Sequence, residues 1–280
     1  MCGLAGFFLP AGERPDAPAW LDAMATRIAH RGPDAQGAWW DAGTGVGLAH
    51  RRLSILDLSP AGAQPMVSHC GRWVIAYNGE IYNHRELRRR IEAVGPVAWR
   101  GHSDTEVLLE SLARQGLDAT LEQLDGMFAF AAFDRRQRRL HLARDRFGEK
   151  PLYYGRVGEG IAFGSELKAL RALPGFRGGV DPAALQAFLR HGYVPATLSI
   201  HPGIAKLPPG HVLSLEGPGP LPAPRAYWSA ADCARAAAAD PFAGDLPAAT
   251  EALEALLRDA IALRMEADVP LGALLSGGID

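Results

Sequence analysis

Short apolar strands joined by tight turns dominate the first 215 residues, and they constrain the fold more than any other feature. Strands are expected at 2–9, in two short pieces with a bend between them over 46–58, and at 73–77, 127–134, 140–143, 152–155 and 161–164. The last four segments are predicted to form two hairpins. Antiparallel hairpins with flanking helices indicate an α+β sandwich for this part of the chain.

Five segments of this part have the apolar spacing or the end signals of helices. They lie at 16–30, 83–94, 103–112, 165–173 and 181–190. Ser103-Asp104-Thr105-Glu106 is a capping-box pattern, and Asp181-Pro182 places a capping residue before a first-turn proline. In the second helix, Leu87, Ile91 and Val94 are expected to form the buried face.

The composition changes after residue 215. Residues 216–245 begin with a run rich in glycine and proline, which predicts a linker. A helix is expected from 246 to about 265, followed by an apolar strand at 269–275 and the sequence Ser276-Gly277-Gly278-Ile279-Asp280. A strand that leads into a glycine loop indicates the first unit of an α/β domain. We therefore expect domains at 1–215 and 246–280, the second incomplete because a doubly wound sheet needs about 100 residues or more.

The expected C-terminal helix has an apolar face that this chain does not provide a sheet to cover. Leu253, Leu256, Leu257 and Ile261 make up that face and are expected to be exposed. The chain is accordingly expected to be a fragment of a longer protein, ending inside an anion-binding loop.

Composition excludes several classes of function. With 280 residues, 48% of them hydrophobic, the chain can bury a sizeable core, and a net charge of −2 argues against a nucleic-acid partner. The three cysteines, Cys2, Cys70 and Cys233, lack the spacing of a metal site or a disulfide framework. No apolar run reaches about 18 residues, so no membrane span is expected. A cytoplasmic location fits a free thiol.

Cys2 follows the initiator methionine directly. Removal of Met1 would give one residue both a thiol nucleophile and a free α-amine. That amine has an ordinary pKa of about 8, so it is partly neutral at pH 7 and can act as a base. A nucleophile beside its own base is the pairing that covalent catalysis needs, although an incidental cysteine is the simpler interpretation of this residue alone.

Asn78-Gly79-Glu80 follows a predicted strand and allows two interpretations. A side-chain amide and the next backbone N–H can point the same way, as an oxyanion hole requires. Asn-Gly is also the strongest short signal for a hairpin turn. The local sequence favours the turn.

Charged residues near these motifs are candidates for binding a small zwitterion. Arg52 could bind a carboxylate bidentately, and the spacing does not distinguish it from Arg51. Glu80 and Asp104 could bind an ammonium group, while structural roles remain an alternative for each. Ser276-Gly277-Gly278 could bind an anion through backbone N–H groups, but it matches neither a P-loop nor a Rossmann fingerprint.

Taken together, these segments resemble the class II glutamine amidotransferases, and most of all the glutamine-hydrolysing asparagine synthetases. The pieces stand in the family's order and are Met1-Cys2-Gly3, His30-Arg31-Gly32-Pro33-Asp34, Arg52-Leu53-Ser54-Ile55, Asn78-Gly79-Glu80-Ile81-Tyr82-Asn83, Ser103-Asp104-Thr105-Glu106, Asp125-Gly126-Met127-Phe128-Ala129-Phe130, Arg144-Asp145-Arg146-Phe147-Gly148, Ser165-Glu166-Leu167-Lys168 and Leu274-Leu275-Ser276-Gly277-Gly278. Glucosamine-6-phosphate synthases and purine amidotransferases share Met-Cys-Gly and Asn-Gly-Glu but have different second domains. β-Lactam synthetases lack the nucleophile.

The resemblance implies a four-layer αββα sandwich of the Ntn type, followed by the start of an ATP-pyrophosphatase domain. It implies that Cys2 attacks the glutamine amide and that Asn78 and Gly79 stabilise the oxyanion. The residues implied to bind glutamine are Arg52, Leu53, Ser54, Ile55, Leu56, Glu80 and Asp104. The residues implied to bind ATP, with Mg²⁺, are Leu275, Ser276, Gly277, Gly278 and Asp280. No metal and no cofactor are expected in the glutaminase half.

The implied function is hydrolysis of glutamine to supply ammonia for ATP-dependent amidation of a carboxylate, with aspartate as the favoured acceptor. Residues 147–154 resemble versions found beside surface-polysaccharide genes, so a sugar acid is an alternative acceptor. A non-catalytic Ntn-like assembly module is the rival from another class, and a self-processing Ntn peptidase is a weaker one. A homodimer is a further expectation.

Overall fold

Two antiparallel sheets form the centre of the molecule. The computed structural model describes residues 1–274 and 277, and within them each sheet has six strands. The strands are β1 (Gly3–Phe8), β2 (Ala35–Asp41), β3 (Val46–Arg52), β4 (Met66–Val67), β5 (Trp73–Ile81), β6 (Gly126–Asp134), β7 (Arg139–Arg144), β8 (Tyr153–Val157), β9 (Gly160–Gly164), β10 (Ile204–Lys206), β11 (His211–Leu215) and β12 (Arg225–Ala226). Their order is β10-β8-β9-β1-β3-β2 in the first sheet and β12-β11-β7-β6-β5-β4 in the second.

The described residues form eight helices, but not all of them cover a sheet. The helices are α1 (Ala17–Arg27), α2 (His84–Val94), α3 (Asp104–Gln115), α4 (Leu117–Gln123), α5 (Leu167–Leu170), α6 (Pro182–His191), α7 (Ala230–Ala239) and α8 (Leu246–Arg264). Helices α1 and α5 pack on the first sheet, and α2, α3 and α4 lie against the second. Short 3₁₀ turns lie at Ala29–Arg31 and Pro60–Gly62.

Three apolar cores separate these four layers. The central core joins the facing sides of the two sheets, through residues such as Leu48 and Phe133. The second lies between the β5-β6 sheet and α2–α4, and the third between the β1-β3 sheet, α1 and α5. Strands buried on both faces read as continuous apolar runs, as in Phe128–Phe133. The predicted αββα sandwich is confirmed.

The structure differs from the expected elements at several places. Residues 46–58 hold one strand, not two, because β3 ends at Arg52 and the chain then forms an irregular loop. The expected helix at 165–173 has only four helical residues, and Val94 is 84% exposed although α2 buries Leu87 and Ile91. Helix α3 continues three residues beyond Leu112, to Gln115.

The Asn78-Gly79 pair is the most informative difference. Both residues lie inside β5, paired with Ala129 and Phe128 of β6, so this Asn-Gly does not form a turn. A Cβ on Gly79 would lie 2.3 Å from the Met127 carbonyl oxygen. Glycine is required here by the close approach of the neighbouring strand.

Regular structure continues past residue 215. Strand β12 pairs with β11, and α7 lies within the segment expected to be a linker. The predicted helix at 246–265 is confirmed as α8, and its apolar face is exposed, as expected: Leu253 is 57% and Leu256 68% exposed.

Candidate active site

One cavity of about 110 Å³ lies where β1, β3 and β5 meet the loop after β3. Its lining comprises Met1, Cys2, Arg52, Leu53, Ile55, Leu56, Gly62, Gln64, Tyr77, Asn78, Gly79, Glu80, Ser103, Asp104, Thr105, Met127 and Lys150. The candidate residues Cys2, Arg52, Leu53, Ile55, Leu56, Asn78, Gly79, Glu80 and Asp104 are thus brought together. Ser54 is not in this lining, and its backbone N–H donates to Asp34 at 2.8 Å.

The Cys2 thiol lies at the start of β1, against the end of β3. The Leu53 N–H donates to Sγ at 3.3 Å, and Sγ donates to the Leu53 carbonyl at 3.5 Å. Burial raises the pKa of the Cys2 thiol above its ordinary value. A thiol in this state is protonated at neutral pH, so it needs a base in order to act as a nucleophile.

A terminal amine lies beside that thiol. It belongs to Met1, and burial lowers its pKa. The neighbouring Cys2 opposes this shift, and the smaller effects of the Arg31 and Lys150 cations add to it. The Arg31 Nε donates to the Cys2 carbonyl at 2.9 Å and so fixes the direction in which the chain terminus points. The same environment would also favour the neutral form of the α-amine of a terminal Cys2.

The Glu166 carboxylate holds Arg31 and two neighbouring side chains in place. The Glu166 carboxylate accepts from Arg31 at 3.0 Å, contacts His30 at 2.9 Å and pairs with Lys168 at 2.9 Å. Although burial opposes the change, hydrogen bonds from Lys168, Arg31 and His30 lower the pKa of Glu166 to about 2. The motifs at 30–34 and 165–168 therefore meet in space and support the chain terminus.

The Asn78 side-chain amide provides a buried donor that no other described residue accepts. Asn78 is 1% exposed, and its Nδ2 has no hydrogen-bond partner among the described residues. A buried donor left unpaired costs on the order of 1–3 kcal/mol, so such groups usually have a purpose. Here the donor lines the same cavity as the Cys2 thiol, and it can stabilise a negative oxygen there.

Arg52 is buried at the end of β3, and main-chain carbonyls hold its guanidinium. Nη1 donates to the Ser59 carbonyl at 3.0 Å, and Nη2 donates to the carbonyls of Asp57 and, at 3.5 Å, Leu56. A Cβ on Gly62 would lie 2.0 Å from Nη2, so only glycine leaves room for this arrangement. Because guanidinium has five N–H groups, others remain for an anion in the cavity.

The structure distinguishes Arg52 from Arg51, which the sequence did not. Arg51 points away from the cavity, where its Nε donates to the Gly32 carbonyl at 3.0 Å and its Nη1 to Gln36. Adjacent residues of a strand face opposite sides, so only one of the two arginines can reach the cavity.

Glu80 and Asp104 form an acidic pair in the lining of the same cavity. Burial, and after it the Asp104 carboxylate, raises the pKa of Glu80; burial likewise raises the pKa of Asp104. Asp104 accepts hydrogen bonds from the Tyr77 hydroxyl at 2.7 Å and the Ile81 N–H at 2.9 Å. Burial disfavours the charged form of both carboxyl groups, and a bound cation such as an ammonium group would stabilise that form.

Lys150 also lines the cavity, although no sequence motif predicted it as a member of this site. It is 6% exposed, and its Nζ lies 3.5 Å from the Met1 sulfur. Asp145 accepts the backbone N–H groups of Phe147, Glu149 and Lys150, which folds the loop after β7 toward the cavity. The sequence signal for this loop is Asp145 followed three residues later by Gly148, a pattern typical of a tight turn.

The residues expected to bind a nucleotide cannot be placed in the same way. Leu275, Ser276, Gly278 and Asp280 lie outside the described residues, while Gly277 is described and exposed. Residues 1–274 and 277 contain no group of three or more His, Cys, Asp or Glu side chains arranged to hold a metal. Across the same part of the chain, every helix is too short or too polar to span a membrane.

Comparisons with known proteins agree with this geometry. Residues 1–228 match the family described as a glutamine amidotransferase domain, and residues 252–280 match the family described as asparagine synthase. The chain is 34% identical, over its whole length and 42% of the relative, to asparagine synthetase [glutamine-hydrolyzing] 1 of Bacillus subtilis. It is 36% identical to a putative asparagine synthetase [glutamine-hydrolyzing] of Mycobacterium tuberculosis, again over the whole chain and 44% of the relative.

A fungal relative carries a different name. The chain is 33% identical to amidase chry2 of Gibberella zeae, over the whole chain and 41% of that protein. The chain therefore spans less than half the length of these three relatives.

Solved structures show the same fold at lower identity. The glutamine phosphoribosylpyrophosphate amidotransferase of Bacillus subtilis superposes with a TM-score of 0.56 at 20% identity, over 81% of this chain and 49% of that one. This likeness concerns the fold alone. The sequence match over residues 1–228 is what assigns the family: this chain belongs to the glutamine amidotransferases, in the form found in relatives named as glutamine-hydrolysing asparagine synthetases.

Proposed function

We propose that this chain hydrolyses glutamine, with Cys2 as the nucleophile, and that it does so once Met1 has been removed. The observation that carries the proposal is the convergence in one cavity of the Cys2 thiol and the unpartnered Asn78 amide. Arg52 and the acidic pair Glu80 and Asp104 line the same cavity and suit the two charged groups of an amino acid.

The reaction follows from these positions. The α-amine of Cys2 takes the thiol proton as Sγ attacks the amide carbon of the glutamine side chain. The resulting oxyanion accepts hydrogen bonds from Asn78 Nδ2 and the Gly79 N–H. The ammonium of residue 2 returns its proton to the leaving nitrogen, ammonia departs, and a thioester remains. Water, deprotonated by the same amine, then releases glutamate and restores the thiol.

Binding of glutamine would use the charged side chains of the cavity for the two charged groups on the α-carbon. Arg52 would bind the α-carboxylate through the guanidinium N–H groups that do not donate to the main-chain carbonyls of the loop after β3. Glu80 and Asp104 would bind the α-ammonium group, which would restore them to the charged state that burial disfavours. Leu53, Ile55 and Leu56 would enclose the two methylene groups that join the α-carbon to the side-chain amide.

In the whole protein, we propose that the ammonia serves ATP-dependent amidation of a carboxylate, with aspartate as the acceptor. The names of the bacterial relatives support this. Residues 1–215 would form the glutaminase domain, 216–245 the connection and 246–280 the start of the synthetase domain. Ser276, Gly277 and Gly278, with Leu275 and Asp280, would contribute to binding ATP with Mg²⁺.

The test of the glutaminase is covalent labelling. The chain is incubated with a diazoketone analogue of glutamine, and intact masses are compared for the wild type and Cys2→Ala. We expect stoichiometric labelling of the wild type only, on a chain that lacks Met1. A folded wild type without Met1 that stays unlabelled contradicts the proposal and favours a non-catalytic module.

The acceptor is tested separately with the full-length protein. Glutamine and ATP are supplied with aspartate or with a sugar acid, and the products are analysed. Asparagine together with AMP and pyrophosphate would support the proposed acceptor. If an amide formed only on the sugar acid, the sugar acid and not aspartate would be the acceptor. The glutaminase proposal would be unaffected.

A further inference from the structure

The loop that carries the glutamine-facing side chains is held by a residue far away in the sequence. We define the pocket loop as residues 53–59, which follow β3. The segment after α8 reaches this loop at Asp268, more than 200 residues later in the chain. The Asp268 Oδ2 accepts the Asp57 N–H at 2.7 Å, and the Asp268 N–H donates to the Ile55 carbonyl at 2.9 Å. Two hydrogen bonds of opposite direction therefore fix both the position and the orientation of the loop backbone.

A second set of hydrogen bonds, made by His102, holds the pocket loop at Asp57. His102 Nε2 lies 2.6 Å from Asp268 Oδ2, and the His102 N–H donates to Asp57 Oδ2 at 2.9 Å. Asp57 is 1% exposed and adopts a left-handed backbone with φ of 57°, which is unfavourable for a residue that is not glycine. Such a conformation persists only where surrounding contacts impose it.

These contacts lead directly to Arg52. The Asp57 carbonyl accepts from Arg52 Nη2, and the Ser59 carbonyl accepts from Nη1 at 3.0 Å. Asp57 also accepts from the Ser59 backbone at 3.1 Å, so the two carbonyls belong to one rigid turn. The direction of the guanidinium therefore depends on the conformation at Asp57, and that conformation depends on Asp268.

We propose that Asp268 is a positioning residue for Arg52, holding the pocket loop in the form that presents the guanidinium to the α-carboxylate of glutamine. This rests on the proposed function of the cavity and adds a residue to it. Asp268 lies in the region that matches asparagine synthase, 252–280, and outside the amidotransferase match, 1–228. The glutamine site is thus completed by a segment of the adjoining region.

The segment has a second attachment that serves as a control. Glu266 pairs with Arg85 at 2.7 Å and His84 at 3.3 Å, and Arg264 stacks on Tyr82 at 4.3 Å. These contacts hold the end of α8 and the segment after it to α2 and to Tyr82, and none of them involves the pocket loop. Glu266→Gln therefore weakens the same segment while leaving the bonds of Asp268 in place.

The experiment measures glutaminase kinetics of the 280-residue chain with two substrates. One is glutamine, and the other is 4-aminobutanamide, which keeps the amine and the side-chain amide but lacks the α-carboxylate. For Asp268→Asn and Asp268→Ala we expect KM for glutamine to rise about tenfold, as for loss of one hydrogen bond to a charged group. The kcat for glutamine and both constants for 4-aminobutanamide should stay within about twofold of wild type, because the reacting amide does not touch Arg52.

A double-mutant cycle shows whether the effect passes through Arg52. In an Arg52→Gln background, Asp268→Ala should no longer change KM for glutamine, since the group that it positions is gone. Additive effects of the two substitutions would overturn the proposal. So would an unchanged KM in Asp268→Ala, an equal loss with both substrates, or a rise in Glu266→Gln as large as in Asp268→Asn. If the wild type hydrolyses neither substrate and takes up no label, the proposed function itself is wrong, which is a distinct result.

Discussion

At the scale of single residues, the unpaired amide of Asn78 leads to the sharpest prediction. Asn78→Ala should lower kcat by about 10²–10³, because a donor to the oxyanion is lost, and should change KM for glutamine little. Steady-state glutamine hydrolysis measures both constants. Asn83→Ala is the matched control, since the Asn83 amide already donates to the Gln123 carbonyl at 2.8 Å. A fall in kcat of less than about threefold for Asn78→Ala would argue against the oxyanion role.

The acidic pair predicts how glutamine binding depends on pH. Burial and Asp104 hold the pKa of Glu80 above its usual value of 4.5, and binding of an ammonium group needs the ionised form. As pH falls from about 8 toward that raised pKa, protons compete with the substrate and KM for glutamine should rise. Glu80→Gln should raise KM at pH 8 and flatten its pH dependence. Glu86→Gln, exposed on α2, should leave the profile unchanged, and a Glu80→Gln profile identical to wild type would refute the assignment.

At the scale of elements, His50 links the two sheets behind the site. It lies on β3, is 1% exposed, and its Nε2 lies 2.8 Å from the Tyr77 carbonyl on β5. Burial lowers its pKa to about 4 from the ordinary 6.5. The folded state therefore binds this proton less readily than the unfolded state. The contribution of neutral His50 to the free energy of unfolding is fully present above about pH 6.5 and is lost as pH falls toward 4.

This linkage can be measured by denaturant unfolding between about pH 7 and pH 4. His50 alone accounts for a loss on the order of 3 kcal/mol over that range. His50→Gln, which keeps a donor for Tyr77, should remove this part of the slope. The buried His141, whose pKa burial also lowers to about 4, should still contribute its own part. A slope unchanged by His50→Gln would show that His50 is protonated without cost in the fold.

At the scale of the whole molecule, the exposed face of α8 predicts self-association. Leu253, Leu256, Leu257 and Ile261 are each more than half exposed, and their spacing places them on one side of the helix. A contiguous apolar stripe of this kind favours contact with another surface. Sedimentation velocity should show a mass that rises with concentration above the 29.9 kDa of one chain.

Substitutions within the stripe test its role. Leu256→Gln combined with Ile261→Gln should keep the chain at the mass of a single copy, whereas Glu251→Gln on the other side of α8 should not. Association that persists in the double variant would place the contact elsewhere on the molecule.

Much of the site could be predicted from the sequence because its motifs are local. The predicted helix start is confirmed: Ser103 Oγ accepts the Glu106 N–H at 3.3 Å, which places Asp104 in the first turn of α3. The Glu106 carboxylate does not complete the capping box, because it accepts the N–H groups of Arg100 and Gly101. The hairpin of β6 and β7 and the helix α8 were likewise predicted from spacing alone. The order of the motifs also indicated the family, which the match over residues 1–228 confirms.

What the sequence determined by itself was many of the helices and strands and the chemical groups available, since periodicity and capping depend on near neighbours. The tertiary structure alone decided that Asn78-Gly79 continues a strand, because β6 pairs along both residues. It also decided that Arg52 and not Arg51 reaches the cavity, that Lys150 joins it, and that Asp268 supports it. These depend on contacts between segments up to 211 positions apart, and a packed core creates such contacts where no local pattern records them.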